Sequence, residues 1–227
     1  MKLGIFGGTF NPIHQGHLSI ADEVRKALRL SKVLFIPAGD PPHKKARQML
    51  TARHRLAMVK LAVKNHRHFE AEDLEVHRPG KSYTIQTVKT LKKTYPSDTE
   101  WYLILGLDAF LDFPTWREAR LLTTLCHFVV VSRPGFRFRD LRRLSFLKEA
   151  DPEQLTRLDQ NAIDRYELPL SPSTRLILLR VNPWEVSATD IRNHFWGIKR
   201  KRNLLPRSVE SYIMTHHLYV RSKSLSL

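Results

Sequence analysis

A chain of 227 residues with 42% hydrophobic and 26% charged residues has the composition of a globular domain, and it holds no run of roughly 18 apolar residues that could span a membrane. Its single cysteine, Cys126, excludes an intramolecular disulfide and a cysteine-based zinc site. The net charge of +16 fits nucleic acid, an anionic surface, phosphorylated substrates or a solvated basic surface, and by itself excludes none of them. The apolar run after Met1 breaks at Gly7 without the core of a signal peptide, so we expect one cytoplasmic domain over residues 1–227 with no membrane partner.

Apolar runs and helical periods alternate along the chain. Short apolar runs predict five buried strands, at Leu3–Phe6, Val33–Ile36, Trp101–Leu105, Phe128–Val131 and Arg175–Val181. Apolar residues at helical spacing predict helices over Gly16–Leu30, Ala52–Val63 and Ser82–Leu91. An alternating segment, Phe69–Val76, lies between the second and third runs. Strands separated by such helices form right-handed crossovers, so the sequence predicts an α/β fold, a Rossmann-like doubly wound parallel sheet with helices on both faces.

Two segments stand apart from this alternation. Residues 136–170 are charged and irregular, and we interpret them as an insertion that is helical rather than as a second domain. Residues 187–219 are predicted to form C-terminal helices.

The segment Gly4–His17 carries the strongest chemical signal. The first predicted strand runs into Gly7 and Gly8, which let the backbone approach a ligand and present its N–H groups. A helix begins directly afterwards, so its positive N-terminal end faces the same edge of the sheet. His14 and His17 stand three residues apart at this helix start, where imidazoles can donate hydrogen bonds to phosphate oxygens. The segment therefore predicts a triphosphate site.

Two simpler interpretations of this segment are weaker. Glycines often serve only a tight turn, and the segment is neither the Gly-x-Gly-x-x-Gly dinucleotide fingerprint nor a Walker A loop, which would continue with Lys-Ser/Thr. Two histidines three residues apart also suit a metal pair, but no carboxylate or cysteine lies nearby in the sequence to complete such a site. We predict no protein-bound metal here.

The whole set of motifs resembles the nucleotidylyltransferase superfamily with the His-x-Gly-His motif, and within it the bacterial nicotinate-nucleotide adenylyltransferases. The resemblance covers most of the chain in collinear order. It is carried by Gly7–Leu18, Pro41–Lys44, Ser82–Thr87, Gly106–Asp108, Phe113–Trp116, Ser132–Gly135, Ser187–Arg192 and Leu204–Tyr219. The combination is highly specific, although each short piece alone is not. Asn11 stands where many members of the family carry Asp.

A second phosphate-binding element is predicted at the start of the C-terminal helices. Ser187–Asp190 opens an apolar-periodic run with the spacing of a capping box. A plain capped helix fits these residues equally well. The family resemblance implies that this helix start holds the β- and γ-phosphates of ATP, with the Thr189 hydroxyl and Arg192 as contacts.

The resemblance implies three groups of site residues. The catalytic group is His14, His17, Lys44 and Arg192. The ATP-binding group is Gly7, Gly8, Thr9, Phe10, Gly106, Asp108, Ser187 and Thr189. The acceptor-binding group is Thr84, Trp116, Arg117 and Arg133. Simpler roles compete for three of them, since Lys44 also suits a solvated loop, Asp108 a helix cap and Trp116 a core position.

The activity implied is transfer of AMP from ATP to nicotinate mononucleotide, which yields nicotinate adenine dinucleotide and pyrophosphate in NAD biosynthesis. The acceptor phosphate is itself the nucleophile, so catalysis consists of positioning and charge stabilisation. Magnesium is expected to arrive with the ATP phosphates.

Two alternatives remain open from the sequence. A relative with another acceptor, such as pantetheine phosphate or nicotinamide mononucleotide, shares these motifs. A nucleic-acid-binding protein would use the +16 charge, but no segment resembles a recognition helix or a base-stacking motif. A homo-oligomer is compatible with the sequence.

Overall fold

The computed structural model describes residues 1–42, 49–184, 186–197 and 203–220. Within them seven strands form one sheet: β1 Lys2–Gly8, β2 Lys32–Pro37, β3 Phe69–Ala71, β4 Glu100–Gly106, β5 His127–Val131, β6 Arg165–Pro169 and β7 Arg175–Leu179. The strand order is β3-β2-β1-β4-β5-β7-β6. All neighbouring strands are parallel except β6 and β7. The predicted Rossmann-like α/β fold is confirmed.

Helices cover both faces of this sheet. They are α1 Gln15–Leu28, α2 Ala52–Val63, α3 Thr84–Thr94, α4 Leu107–Leu111, α5 Ala119–Leu125, α6 Pro152–Asp159, α7 Ala188–His194 and α8 Arg207–Thr215. The buried sides of α1, α2, α7 and α8 pack into one apolar core, and those of α3, α4, α5 and α6 pack into the other. The predicted C-terminal helices correspond to α7 and α8. No helix among the described residues is long and apolar enough to cross a membrane.

The chain reverses its direction of winding between β1 and β4. From β1 the strands proceed through β2 to β3 on one side, and the chain then returns to place β4 on the other side of β1. Ligands of open parallel sheets bind in the crevice that opens beyond the carboxyl ends of the strands at such a switch point. In this protein that position is the segment after Gly8, where the first sequence motif lies.

One sequence prediction needs correction in detail. The segment 136–170 was predicted to be helical, but it also contains β6, which pairs antiparallel with β7 at the sheet edge. The residues of this edge strand are exposed or only partly buried, so a weak alternation around Tyr166 is the only local sign of it. The segment is also less superficial than its charge suggests, because Phe138, Leu141 and Leu155 are buried in the second core. The alternating segment that begins at Phe69 is a strand for its first three residues only.

Candidate active site

The carboxyl end of β1 forms the floor of two adjoining clefts. Gly7 is exposed, and a Cβ atom built on it would meet no atom within 4 Å, so this glycine leaves room beside the backbone. A Cβ atom on Gly8 would approach the Phe10 ring at 3.1 Å. Phe10 is buried with a left-handed backbone (φ 46°), and its ring packs 5.1 Å from that of His17. Phe10 therefore supports the histidine from behind as well as lining one cleft.

His14 and His17 lie against each other at the start of α1, with ring centroids 3.7 Å apart. The backbone N–H of His14 donates to Nδ1 of His17 at 3.2 Å. Because Nδ1 accepts this bond, the neutral imidazole of His17 carries its proton on Nε2. His17 lines a cleft of about 630 Å³. His14 is buried behind it, and its Nδ1 has no hydrogen-bond partner among the described residues.

Both imidazoles are neutral in the empty site. Burial, and to a smaller extent the charge of Arg133, lowers the pKa of His14 from 6.5 to about 4. Burial also lowers the pKa of His17 well below 6.5, with contributions from His14 and Arg133. A neutral imidazole with its proton on Nε2 is a hydrogen-bond donor without a net charge. An anionic ligand in the cleft would favour the protonated form.

Acidification is expected to destabilise the empty protein between pH 6.5 and about 4. In this range the unfolded chain takes up a proton on His14 whereas the folded protein does not. The contribution of neutral His14 to the free energy of unfolding is therefore fully present above pH 6.5 and is lost as the pH falls. For His14 the loss amounts to about 3 kcal/mol. Urea unfolding of the wild type and of His14→Gln across this pH range measures this loss. The free energy of unfolding of the variant should depend less steeply on pH. Equal slopes for the two proteins would contradict the prediction.

The start of α7 forms the opposite wall of the larger cleft. The Ser187 hydroxyl oxygen accepts a hydrogen bond from the backbone N–H of Asp190 at 3.0 Å, as a helix cap does. Arg192 donates to the Thr189 hydroxyl at 3.1 Å and to the backbone carbonyl of Asn11 at 2.8 Å. The second contact joins residues 181 positions apart in the chain. It brings the predicted second phosphate element next to the first.

Asp108 and Arg133 form an ion pair at the third side of this cleft, with 3.1 Å between the Arg133 Nε and an Asp108 carboxylate oxygen. Asp108 lies in the first turn of α4, directly after β4, and both side chains are partly exposed. A Cβ atom on Gly106 would collide with the Asp108 carboxylate at 2.5 Å, so the glycine allows the carboxylate to turn inward. Arg133 was predicted for the acceptor, but the structure places it beside the residues predicted for ATP.

The other three residues predicted for the acceptor meet in a second cleft, of about 600 Å³. Thr84 is the first residue of α3, and Trp116 is half-buried with one edge against Phe113. The Arg117 guanidinium lies 4.9 Å from the centre of the Tyr83 ring. The Arg117 side chain is 55% exposed, which places its charge at the rim of this cleft.

The two clefts are continuous through the end of β1. Both are lined by Phe6, Gly7, Gly8, Thr9, Gly106 and Ala109. His17 lies on the side of the larger cleft. We call the larger one, with His17 and Arg192, the donor chamber, and the one with Thr84 and Trp116 the acceptor chamber. Lys44 lies outside the described residues.

Sequence reasoning missed one residue at the junction of these chambers. Arg55 in α2 is fully buried and donates hydrogen bonds to three backbone carbonyls, including that of Thr9. A signal was present in the sequence, because Arg55 occupies the same apolar stripe as Val59 and Ala62 at helical spacing. A cation in a buried stripe is rare and points to a specific set of partners.

The chemical arrangement is therefore a donor chamber with phosphate-binding features, joined at a glycine-rich loop to a second chamber with an aromatic wall. It lacks a thiol nucleophile, because the only cysteine, Cys126, is buried and has its pKa raised to about 12 by burial. Within the described residues no group of three or more His, Cys, Asp or Glu side chains is arranged to hold a metal ion.

Known proteins match the chain over nearly its whole length. A family model described as cytidylyltransferase-like matches residues 5–194. The "Probable nicotinate-nucleotide adenylyltransferase" of Roseiflexus sp. (strain RS-1) is 42% identical over 217 residues, which cover 96% of this chain and 97% of the relative. A protein of the same name from Thermoanaerobacter sp. (strain X514) is 37% identical over 223 residues, which cover 98% and 96%.

A solved structure shares the fold. Plasmodium falciparum nicotinic acid mononucleotide adenylyltransferase complexed with NaAD matches with a TM-score of 0.69 at 19% identity, over 96% of this chain and 97% of that chain. The matches in sequence extend across the glycine-rich loop, both histidines and the α7 element described above. This chain belongs to the cytidylyltransferase-like family and, within it, to the nicotinate-nucleotide adenylyltransferases.

Proposed function

We propose that this protein transfers AMP from ATP to nicotinate mononucleotide, giving nicotinate adenine dinucleotide and pyrophosphate. The observation that carries the proposal is the junction of the two chambers at Gly7–Thr9, beside His17. A bisubstrate reaction needs the two reacting phosphates side by side, and this junction is where a donor in one chamber and an acceptor in the other would meet. The names of the curated relatives support the identity of both substrates.

The reaction is a single displacement at phosphorus. A phosphate oxygen of nicotinate mononucleotide attacks the α-phosphorus of ATP, a new P–O bond forms, and the bond from the α-phosphorus to the bridging oxygen of pyrophosphate breaks. The electron pair of that bond leaves with pyrophosphate. No protein nucleophile takes part, so the protein contributes alignment and stabilisation of the charge that develops on the phosphates.

Each element of the donor chamber has a role in this step. The Nε2–H of His17 would donate to an oxygen of the α-phosphate, since its Nδ1 accepts from the His14 backbone N–H. Thr189 and Arg192 would bind the β- and γ-phosphates at the start of α7. Asp108 would accept hydrogen bonds from ribose hydroxyls after leaving its ion pair with Arg133, which is then available to a phosphate. Magnesium would enter as part of the ATP complex and offset the charge of the triphosphate.

The acceptor chamber suits a pyridine nucleotide. Trp116 presents an aromatic face on which a flat ring can stack. The backbone N–H groups of Thr115 and Trp116 donate to the carbonyls of Asp112 and Phe113. The Thr84 hydroxyl and the backbone N–H of Arg117 would therefore be the hydrogen-bond donors to a substituent on that ring. A pantetheine chain has no ring to stack, so the aromatic wall favours the pyridine acceptor.

The direct test is a pyrophosphate-release assay with ATP, magnesium and each of three acceptors: nicotinate mononucleotide, nicotinamide mononucleotide and pantetheine phosphate. We expect release with nicotinate mononucleotide, together with a dinucleotide product identified by mass spectrometry. Fast release with pantetheine phosphate alone would contradict the proposal. No release with any acceptor from folded protein would contradict it as well.

Arg192→Ala is expected to raise the KM for ATP by about tenfold and to leave the KM for the acceptor nearly unchanged. The substitution removes a charge-assisted hydrogen bond to the leaving pyrophosphate, and that bond belongs to the donor chamber alone. Initial rates over a grid of both substrate concentrations give the two constants. Arg207→Ala, which removes an exposed cation at the start of α8, is the matched control. An effect confined to the acceptor would show that the two chambers are assigned the wrong way round.

A further inference from the structure

Among the residues that the structure describes, Arg55 is the only Lys or Arg whose side chain is fully buried, and its hydrogen-bond partners are backbone carbonyls. Its Nε donates to the carbonyl of Leu50 at 3.1 Å, and its two terminal nitrogens donate to those of Thr9 at 2.8 Å and Gly39 at 2.9 Å. The Glu75 carboxylate acts on this guanidinium through its charge. The planar guanidinium thus ties the start of its own helix, at Leu50, to the more distant segments at Thr9 and Gly39.

Two of these carbonyls belong to the loops that form the chambers. Thr9 follows β1 and lines both the donor and the acceptor chamber. Gly39 follows β2, between Ala38 and Pro41 of the acceptor chamber. The backbone at Gly39 is held tightly, because a Cβ atom there would collide with the carbonyl oxygen of Glu75. Arg55 therefore fixes the distance between the loop beneath the reacting phosphates and a wall of the acceptor chamber.

The contacts continue from Arg55 in both directions. On the acceptor side, the backbone N–H of Gly39 donates to the Ser82 hydroxyl at 2.9 Å, and Ser82 lines the acceptor chamber next to Thr84. On the donor side, the backbone N–H of Leu50 donates to the Asn11 side chain at 3.3 Å. The backbone carbonyl of Asn11 in turn accepts a hydrogen bond from the Arg192 guanidinium. One buried side chain thus lies at the centre of a hydrogen-bonded path from Ser82 in the acceptor chamber to Arg192 in the donor chamber.

We propose that Arg55 is a positioning residue for nucleotidyl transfer, which sets the donor loop and the acceptor loop at the separation that in-line attack requires. The inference rests on the proposed function. Arg55 touches neither substrate, because the Thr9 and Gly39 backbones lie between it and the chambers. Its contribution is the alignment of two reactants, and misplacement by about 1 Å of groups around a reacting centre lowers rates by roughly 10²-fold.

Arg55→Ala should lower kcat by about 10- to 100-fold, while the KM values for ATP and for the acceptor change by less than about threefold, because each chamber keeps its own contacts. Guanidinium added far below denaturing concentrations should restore part of the lost kcat by filling the space of the missing side chain. Sodium chloride at the same ionic strength should not. Arg53→Ala, two residues earlier on the exposed side of α2, is the matched control and should retain wild-type kcat.

Arg55→Lys keeps the charge but lacks the planar fork that reaches three carbonyls, so it tests the inference even where Arg55→Ala does not fold. We expect folded Arg55→Lys protein with kcat lowered about tenfold or more. Folded Arg55→Lys with kcat and both KM values within twofold of the wild type would overturn the inference. The inference would also be overturned if either variant lost activity only in proportion to its unfolded fraction and guanidinium restored none of it. Failure of the proposed function is seen separately, as absence of pyrophosphate release by the wild type.

Discussion

His17→Ala is expected to lower turnover by about 10²–10³-fold, the range observed when an enzyme loses one donor to the charge of a transition state. The physical reason is the orientation of the ring. The His14 backbone occupies Nδ1 of His17 at 3.2 Å, so Nε2–H is the donor that remains for the α-phosphate. Because the pKa of His17 is held well below 6.5 by burial, this donor is neutral in the empty site and costs little to keep in a poorly solvated cleft.

The protein should remain folded after this substitution, because the one hydrogen bond lost within the protein costs about 1 kcal/mol. Steady-state kinetics at saturating ATP and acceptor measure turnover, and circular dichroism verifies the fold. His77→Ala serves as a control, since the His77 side chain is 71% exposed and His77 lines neither chamber. Retention of more than half of the wild-type turnover by folded His17→Ala would remove His17 from the mechanism.

The second large effect is the choice of acceptor, where nicotinate mononucleotide is expected to exceed nicotinamide mononucleotide in kcat/KM by roughly 5- to 150-fold. Trp116 can stack on either ring and does not discriminate between them. Discrimination falls to the Thr84 hydroxyl and the backbone N–H of Arg117, since the N–H groups of Thr115 and Trp116 donate to backbone carbonyls. A carboxylate accepts from every donor, whereas the amide brings a donor of its own and leaves one N–H of the pocket unsatisfied, at a cost of about 1–3 kcal/mol.

The position of Arg117 determines how much charge adds to this preference. Its guanidinium stacks on the Tyr83 ring, and its side chain is 55% exposed at the rim of the acceptor chamber. A solvated cation there contributes little to the preference for a charged ring. Arg117→Gln should therefore change the ratio of the two kcat/KM values by less than about threefold, whereas Thr84→Val should reduce it. A wild-type ratio near one would mean that the ring substituent does not meet these donors.

Much of this protein is determined by local sequence. The apolar runs at Val33–Ile36 and Phe128–Val131 predict buried strands because they are apolar on both faces, as central parallel strands require. The glycines at the end of β1 and the Ser187 cap are also local features. Gly7 leaves room beside its own backbone, and the Ser187 hydroxyl accepts from the backbone N–H three residues later. From these features the alternation of strands and helices, the donor loop and the α7 element are all predictable.

The tertiary structure alone decided how these parts meet. Three contacts join residues that no local pattern relates. They are the contact of Arg192 with the Asn11 carbonyl, that of Arg133 with Asp108, and that of Arg55 with the Thr9 carbonyl. The edge strand β6 is a different case, because it pairs with the nearby β7 but its own residues are only partly buried and so carry a weak apolar pattern. Periodicity and capping report how a segment meets solvent or its own backbone, whereas a hydrogen bond between distant segments depends on how the sheet orders its strands. That order, with β1 between β2 and β4, is what places two chambers on either side of one glycine-rich loop.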